Sequence, residues 1–317
     1  MRVAFFGTPE FAVPSLEALL DTRFQVVLVV TQPDRPPGRS RSTLVPPPVK
    51  TIALAAALDV VQPDRPVGDV FHRALEHAKP DIGVVVAYGH ILKPEILAVP
   101  RLGMINVHAS LLPRLRGAAP IQRAILTGEE STGITIMQME AGLDSGPILH
   151  SARTPIGPAE SAGELTTRLA DLGAQALIDV LSLLGAGAAR PKAQDHAAAT
   201  YAPKVGREMA HIDWTDDAAV IARLVRAMDP EPGAWTELEG QPFKLFGGVA
   251  AEGSGEAGQV LAAGTTLKIA CGKDAVAVHA VQPAGKAKMP ASAWAAGTTM
   301  LPCPASGETP SAPPRRD

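Results

Sequence analysis

The chain has 317 residues, 46% of them hydrophobic, only 4% aromatic and 19% charged, with a formal net charge of −3. Such a length predicts two domains, with cores built mainly from Ala, Val, Leu and Ile. The charge excludes a uniformly basic nucleic-acid binder and leaves room for a local basic patch. Two cysteines, Cys271 and Cys303, exclude a disulfide framework and a cysteine metal site. No HExxH or paired Cys/His spacing predicts zinc, so no metal is expected. The apolar run in "MRVAFFGTPEF" is too short for a signal segment, and no stretch reaches the length of a bilayer span. A soluble, cytoplasmic protein is expected.

In chain order, "VAFFG" (Val3 to Gly7) predicts a buried strand, and "SLEALLDT" a helix with Leu16, Leu19 and Leu20 on one face. "QVVLVVT" predicts a second strand and "VKTIALAAALD" a helix. "DIGVVVAYG", "GMINVH" and "GITIMQM" predict the third to fifth strands. This alternation indicates an open, mostly parallel α/β sheet, whose site lies beyond the C-terminal strand ends. "AGELTTRLADLGAQALIDVLSLL" (162–184) predicts a long helix, and the Ala-, Gly- and Pro-rich stretch after it a linker. "DDAAVIARLVRAM" is helical. "QPFKLFGGV", "TTLKIACG" and "AVAVHAV" are short alternating runs that predict a small β-barrel or sandwich. The Pro- and Ser-rich end predicts a disordered tail.

On a strand, Asn106 and His108 face the same side, about 6–7 Å apart. At a strand end they can converge on one reacting group, His to handle a proton and Asn to donate to an oxyanion. A satisfied histidine and a turn-forming Asn are the plain alternative. Asp144, between Gly142 and Gly146, follows the next strand; it is either an Asx-turn residue or the carboxylate that orients His108. The loop from Ser110 to Pro120 offers a shaped wall, with Leu111 and Leu112 apolar toward a flat ligand, or is an ordinary connection. The stretch from Gln32 to Lys50 carries Arg35, Arg39, Arg41 and Lys50 against one acid, Asp34. It reads as a polyanion-binding loop or a solvated insertion. Gly7 is followed by neither GxGxxG nor GxxxxGK[ST], so no dinucleotide or ATP site is expected.

Taken together, "FFGTPEFAVPSL", "VTQPDRPPGR", "VVVAYGHIL", "GMINVHASLLPRLRGAAPIQRAI", "TGITIMQMEAGLDSGPIL", "YAPKVGREMAHIDW", "VRAMDPEPGAW" and "QPAGKAKM" resemble the methionyl-tRNA formyltransferase family. The resemblance covers nearly the whole chain up to its Pro-rich end. It implies a Rossmann-like formyltransferase domain (1–189), a linker (190–204), an OB-like β-barrel domain that binds tRNA (205–303) and a disordered tail (304–317). It implies formyl transfer from 10-formyltetrahydrofolate, a co-substrate rather than a bound cofactor, to the α-amine of methionine on initiator tRNA. Asn106, His108 and Asp144 match the catalytic triplet, and Ser110, Leu111, Leu112 and Pro113 the folate-binding segment. Arg39 matches an arginine used at the acceptor end of the tRNA. Arg41 and Lys204 would join it, with Arg207, Lys286 and Lys288 as further phosphate contacts. A monomer acting away from membranes is expected. Ala109 stands where relatives often have Pro or Gly, and Leu115 where they commonly have Trp. Two rivals are the same chemistry on a sugar-nucleotide or glycinamide ribonucleotide amine, and an idle RNA-binding protein on the same scaffold.

Overall fold

The computed structural model describes residues 1–36 and 44–297. Arg39, Arg41, Cys303 and the 304–317 tail lie outside the described residues. The chain divides into two units, Met1–Lys204 and a second beginning at Val205.

The strands of the first unit are β1 (Arg2–Gly7), β2 (Gln25–Val30), β3 (Val60–Val61), β4 (Ile82–Val86), β5 (Met104–His108), β6 (Ser131–Gln138) and β7 (Ile148–Pro155). Its helices are α1 (Val13–Leu20), α2 (Pro48–Ala55), α3 (Asp69–Ala78), α4 (Pro94–Leu97), α5 (Pro120–Leu126) and α6 (Ala162–Gly185). The sheet order is β3-β2-β1-β4-β5-β6-β7. Pairing is parallel from β3 to β5 and antiparallel for β5–β6 and β6–β7. All five residues of β4, "IGVVV", are buried, as the centre of a parallel sheet covered on both faces requires. Outermost β7 alternates between exposed and half-buried residues and carries Arg153, a polar edge. The expected Rossmann-like class holds, with an antiparallel flank that periodicity alone did not distinguish from the parallel strands.

Ser161 and Glu164 start α6 with a capping box: the Glu164 N–H donates to Ser161 Oγ at 3.2 Å, and the Ser161 N–H to Glu164 Oε2 at 2.8 Å. The helix lies close on β5 at Gly173, where a Cβ would come within 3.0 Å of Val107 Cγ1. One face of β5 is thereby spent on the core. The other face, with Asn106 and His108, is left for chemistry.

The 190–204 segment, read from composition as a linker, is bonded to the first unit along its length. Lys192 and Ile148 exchange N–H···O bonds of 2.8 Å, the Arg116 N–H donates to Thr200 O at 2.9 Å, and the Ala202 N–H to Arg116 O at 2.7 Å. Composition could not reveal this, because much of the attachment is made by main-chain groups.

The second unit holds α7 (Ala218–Ala227), β8 (Ala234–Leu238), β9 (Gln241–Ala251), β10 (Val260–Ala263), β11 (Leu267–Ala270), β12 (Ala275–Pro283), β13 (Met289–Pro290) and α8 (Ala291–Ala296). The strands pair antiparallel in the order β10-β11-β12-β9-β8, with β13 on β12, giving the OB-like unit expected. Gly248 admits α7 to β9, since a Cβ there would lie 2.7 Å from Val225 Cβ. Two expected phosphate contacts already have partners. Lys288 Nζ donates to Asp229 Oδ1 at 3.0 Å, and the Arg207 guanidinium lies 5.1 Å from the centre of the Trp235 ring.

Candidate active site

Within the first unit, β5 presents Asn106 and His108 on the face away from α6. His108 is 5% exposed, and its Nε2 lies 3.0 Å from the Leu115 carbonyl oxygen. A carbonyl only accepts, so Nε2 carries a proton. Nδ1 lies 3.7 Å from Asp144 Oδ2, and Asn106 Nδ2 lies 3.5 Å from Asp144 Oδ1. The structure therefore brings together all three residues of the expected triplet, with the carboxylate bridging two side chains that stand two positions apart.

Asp144 follows the next strand, as expected, but that strand runs against β5. Because β6 runs antiparallel to β5, His108 pairs with Thr135 and Ile105 with Gln138. β6 thus ends beside the start of β5, and residues 139–147 carry Asp144 back over the sheet face. Asp144 has a left-handed backbone, φ +47°. Its strongest partner is the Gly117 N–H, which donates to Oδ2 at 2.8 Å. Gly117 has φ +114°, and a Cβ there would meet Ala202 O at 2.9 Å, so only glycine fits.

Leu115 also has a positive φ, +58°, and its N–H donates to Thr200 Oγ1 at 2.9 Å. Its side chain is buried with Ala124 and Ala202. The site uses its carbonyl, which explains why Leu can stand where the resemblance implies Trp.

The segment expected to bind folate is held from within. Ser110 Oγ donates to Arg114 O at 2.6 Å; Thr135 Oγ1 donates to Ser110 O at 2.7 Å and accepts from Leu112 N at 3.1 Å. Ser110 and Leu112 are buried, so the side chains it offers outward are those of half-buried Leu111 and Pro113. Sequence reasoning missed Thr135, Gly117 and the Leu115 carbonyl. Thr135 gave no signal without strand pairing. Gly117 lay inside "RLRGAAP", where its need for positive φ was not legible.

The basic loop begins and ends at paired backbone: the Arg35 and Val45 N–H groups donate to each other's carbonyls at 3.2 and 3.0 Å. Lys50, counted among its cations, donates to both Asp34 oxygens at 2.8 and 2.7 Å. The hydrogen bond from Lys50, then that from Gln62 at 2.7 Å, holds the Asp34 carboxyl below its ordinary range. Gln32 Nε2 and Thr8 Oγ1 donate to Tyr88 O at 2.9 and 3.1 Å, tying together the chain beyond β1, β2 and β4. The Tyr88 phenol is buried, which pushes its pKa up to about 12. Lys204 is exposed at the end of the first unit.

A carboxylate, an imidazole and an amide meet beside the loop that follows β5, an arrangement with the groups that acyl transfer calls for. Comparison with known proteins agrees. Residues 1–181 match the formyl transferase model and residues 204–299 the formyl transferase C-terminal domain, so the chain belongs to the formyl transferases. Within that class it is 46% identical over 289 residues to methionyl-tRNA formyltransferase of Pseudomonas fluorescens (strain Pf-5), covering 90% of each chain. It is 47% identical over 298 residues to methionyl-tRNA formyltransferase of Aromatoleum aromaticum, covering 94% of each. The chain belongs to the methionyl-tRNA formyltransferase family. Its fold is shared with HypX from Aquifex aeolicus in complex with tetrahydrofolic acid, at TM-score 0.65 and 20% identity, over 93% of this chain and 46% of that one. It is shared also with WlaRD, a sugar 3N-formyl transferase, at TM-score 0.66 and 17% identity, over 90% and 99%.

Proposed function

We propose that this protein transfers the formyl group of 10-formyltetrahydrofolate to the α-amine of methionine on initiator methionyl-tRNA, the step that prepares that tRNA for translation initiation. The observation that carries the reading is the convergence of Asn106 and His108 on the Asp144 carboxylate, at 3.5 and 3.7 Å. The names of the relatives supply the acceptor. Folate is a co-substrate and no resident cofactor takes part. The protein acts as a monomer in the cytoplasm, off the membrane. Residues 1–204 form the catalytic unit, with the 190–204 segment fastened to it, and the unit from Val205 holds tRNA, with Arg39, Arg41 and Lys204 of the first unit as phosphate contacts.

The neutral amine attacks the formyl carbon, a C–N bond forms, and negative charge gathers on the formyl oxygen. The Asn106 amide supports that oxygen, an effect worth about 3–4 kcal/mol per donor in comparable sites. Nε2 of His108 keeps its proton on Leu115 O, so Nδ1 is the basic nitrogen, and it stands beside Asp144. The amine's proton is shared between Nδ1 and the carboxylate, whose charge favours the imidazolium formed. The bond from the formyl carbon to folate nitrogen then breaks, and that nitrogen takes the electron pair and a proton. The segment from Ser110 to Pro113 lines the folate side.

The test is formylation of charged initiator tRNA with 10-formyltetrahydrofolate, with a sugar-nucleotide amine and glycinamide ribonucleotide as rival acceptors. Turnover on the tRNA alone is expected, and His108→Ala should lower kcat by about three orders of magnitude while tRNA binding persists. Preference for either small amine, or near-normal kcat in the variant, overturns the reading.

A further inference from the structure

Gln194 lies in the 190–204 segment and is 7% exposed. Its Nε2 donates to two main-chain carbonyls of the returning loop, Asp144 O at 2.9 Å and Gly146 O at 2.7 Å. Its Oε1 accepts from Arg116 Nε at 3.2 Å and Nη2 at 2.6 Å. The carbonyls can only accept and the guanidinium can only donate, so the amide has one satisfactory orientation. Arg116 is 4% exposed and its guanidinium meets no carboxylate among the described residues; its Nη2 also lies 3.2 Å from His196 Nδ1. A buried cation thus orients the Gln194 amide through both of its N–H groups that face it.

We propose that Gln194 is a positioning residue for the reaction, holding the main chain of Asp144 and Gly146 so that the carboxylate stays against Asn106 and His108. The inference rests on the assignment of Asp144 above. Asp144 is a non-glycine residue at φ +47°, a conformation that persists when its surroundings over-determine it. Gly117 holds the carboxylate and Gln194 holds the backbone behind it. Nor does the segment need this side chain to dock. Its attachment is made by main-chain bonds at Lys192, Thr200 and Ala202. The Gln194 amide is left to act on the loop.

The test compares kcat and KM, per folded enzyme, for Gln194→Ala, Asp144→Ala, their double variant and the exposed neighbour Asp195→Ala. Displacing a reacting group by about 1 Å costs on the order of 10²-fold, so Gln194→Ala should lower kcat by about 10- to 100-fold. KM for both substrates should stay within about twofold, and Asp195→Ala should match the wild type. A residue acting through Asp144 adds nothing once Asp144 is gone, so the double variant should be no slower than Asp144→Ala. Gln194→Glu keeps the acceptor for Arg116 and turns an oxygen toward the two carbonyls. It should lose kcat as well, and it serves if the alanine variant does not fold. A wild-type kcat in either Gln194 variant, or a further loss in the double variant, overturns the proposal. If Asp144→Ala itself retains turnover, the assignment of Asp144 fails rather than that of Gln194.

Discussion

Replacing Gly117 by Ala tests the geometry of the carboxylate without touching any side chain of the triplet. The residue has φ +114°, and a side chain held there costs about 1–3 kcal/mol in backbone strain. The new Cβ would also meet Ala202 O at 2.9 Å, a main-chain atom tied to the Ala119 N–H at 3.1 Å. Relief comes by rotating the peptide, which swings the Gly117 N–H off Asp144 Oδ2, now 2.8 Å away. A hydrogen bond to a charged group is worth about 1.5–3 kcal/mol, so the summed loss is about 2.5–6 kcal/mol. At about 2–4 °C per kcal/mol for a unit of this size, the melting temperature should fall by roughly 5–25 °C. With Asp144 freed toward solvent, kcat at saturating substrates should drop by about 10- to 100-fold. The assay is initial-rate formylation below the variant's melting transition, beside a thermal melt. A lowered melting temperature with wild-type kcat would show that the Gly117 bond shapes the loop and leaves the chemistry alone.

Thr135→Val keeps the shape and removes a buried hydroxyl that bonds Ser110 O and Leu112 N at 2.7 and 3.1 Å. It should destabilise by about 1–3 kcal/mol and raise KM for the folate more than for tRNA; equal KM values for wild type and variant refute the link. The Asp34 carboxyl is held below its ordinary range by Lys50 and Gln62. Its stabilisation is therefore present above the ordinary carboxylate pKa and lost as pH falls through the lowered value. Melting curves of wild type and Asp34→Asn should converge on acidification, and a constant gap contradicts the pairing. Binding of initiator tRNA should weaken with salt by counterion release, with a log–log slope made shallower by about one unit in Arg39→Ala. An unchanged slope removes Arg39 from the phosphate contacts.

Much of the chemistry was legible before any fold was known, for a local reason. Asn106 and His108 stand two apart on a short apolar run that reads as a strand, and period-2 geometry then places them on one face. Eight of the strands and the helices α1, α2, α6 and α7 likewise follow from hydrophobic periodicity, which needs only the neighbouring residues. The short strands β3, β8, β10 and β13 escaped because two to five residues carry too little pattern, and eight-residue β7 because "ILHSARTP" at a polar edge has little hydrophobic contrast.

What tertiary structure alone decided is how distant main-chain groups meet. Strand direction is set by which neighbour a strand pairs with. The antiparallel turn of β6 therefore determined that Thr135 stands beside His108 and that Asp144 returns over the sheet face. Gly117, Leu115 and Gln194 act through an N–H, a carbonyl and a buried amide aimed at carbonyls. Every residue type but proline carries the same backbone donor and acceptor, so nothing in the letters marks which of them the fold will use. The local sequence carries the candidate side chains and the periodicity of the elements that hold them. The fold decided what holds the carboxylate in place, because that depends on contacts between segments 27 to 50 residues apart.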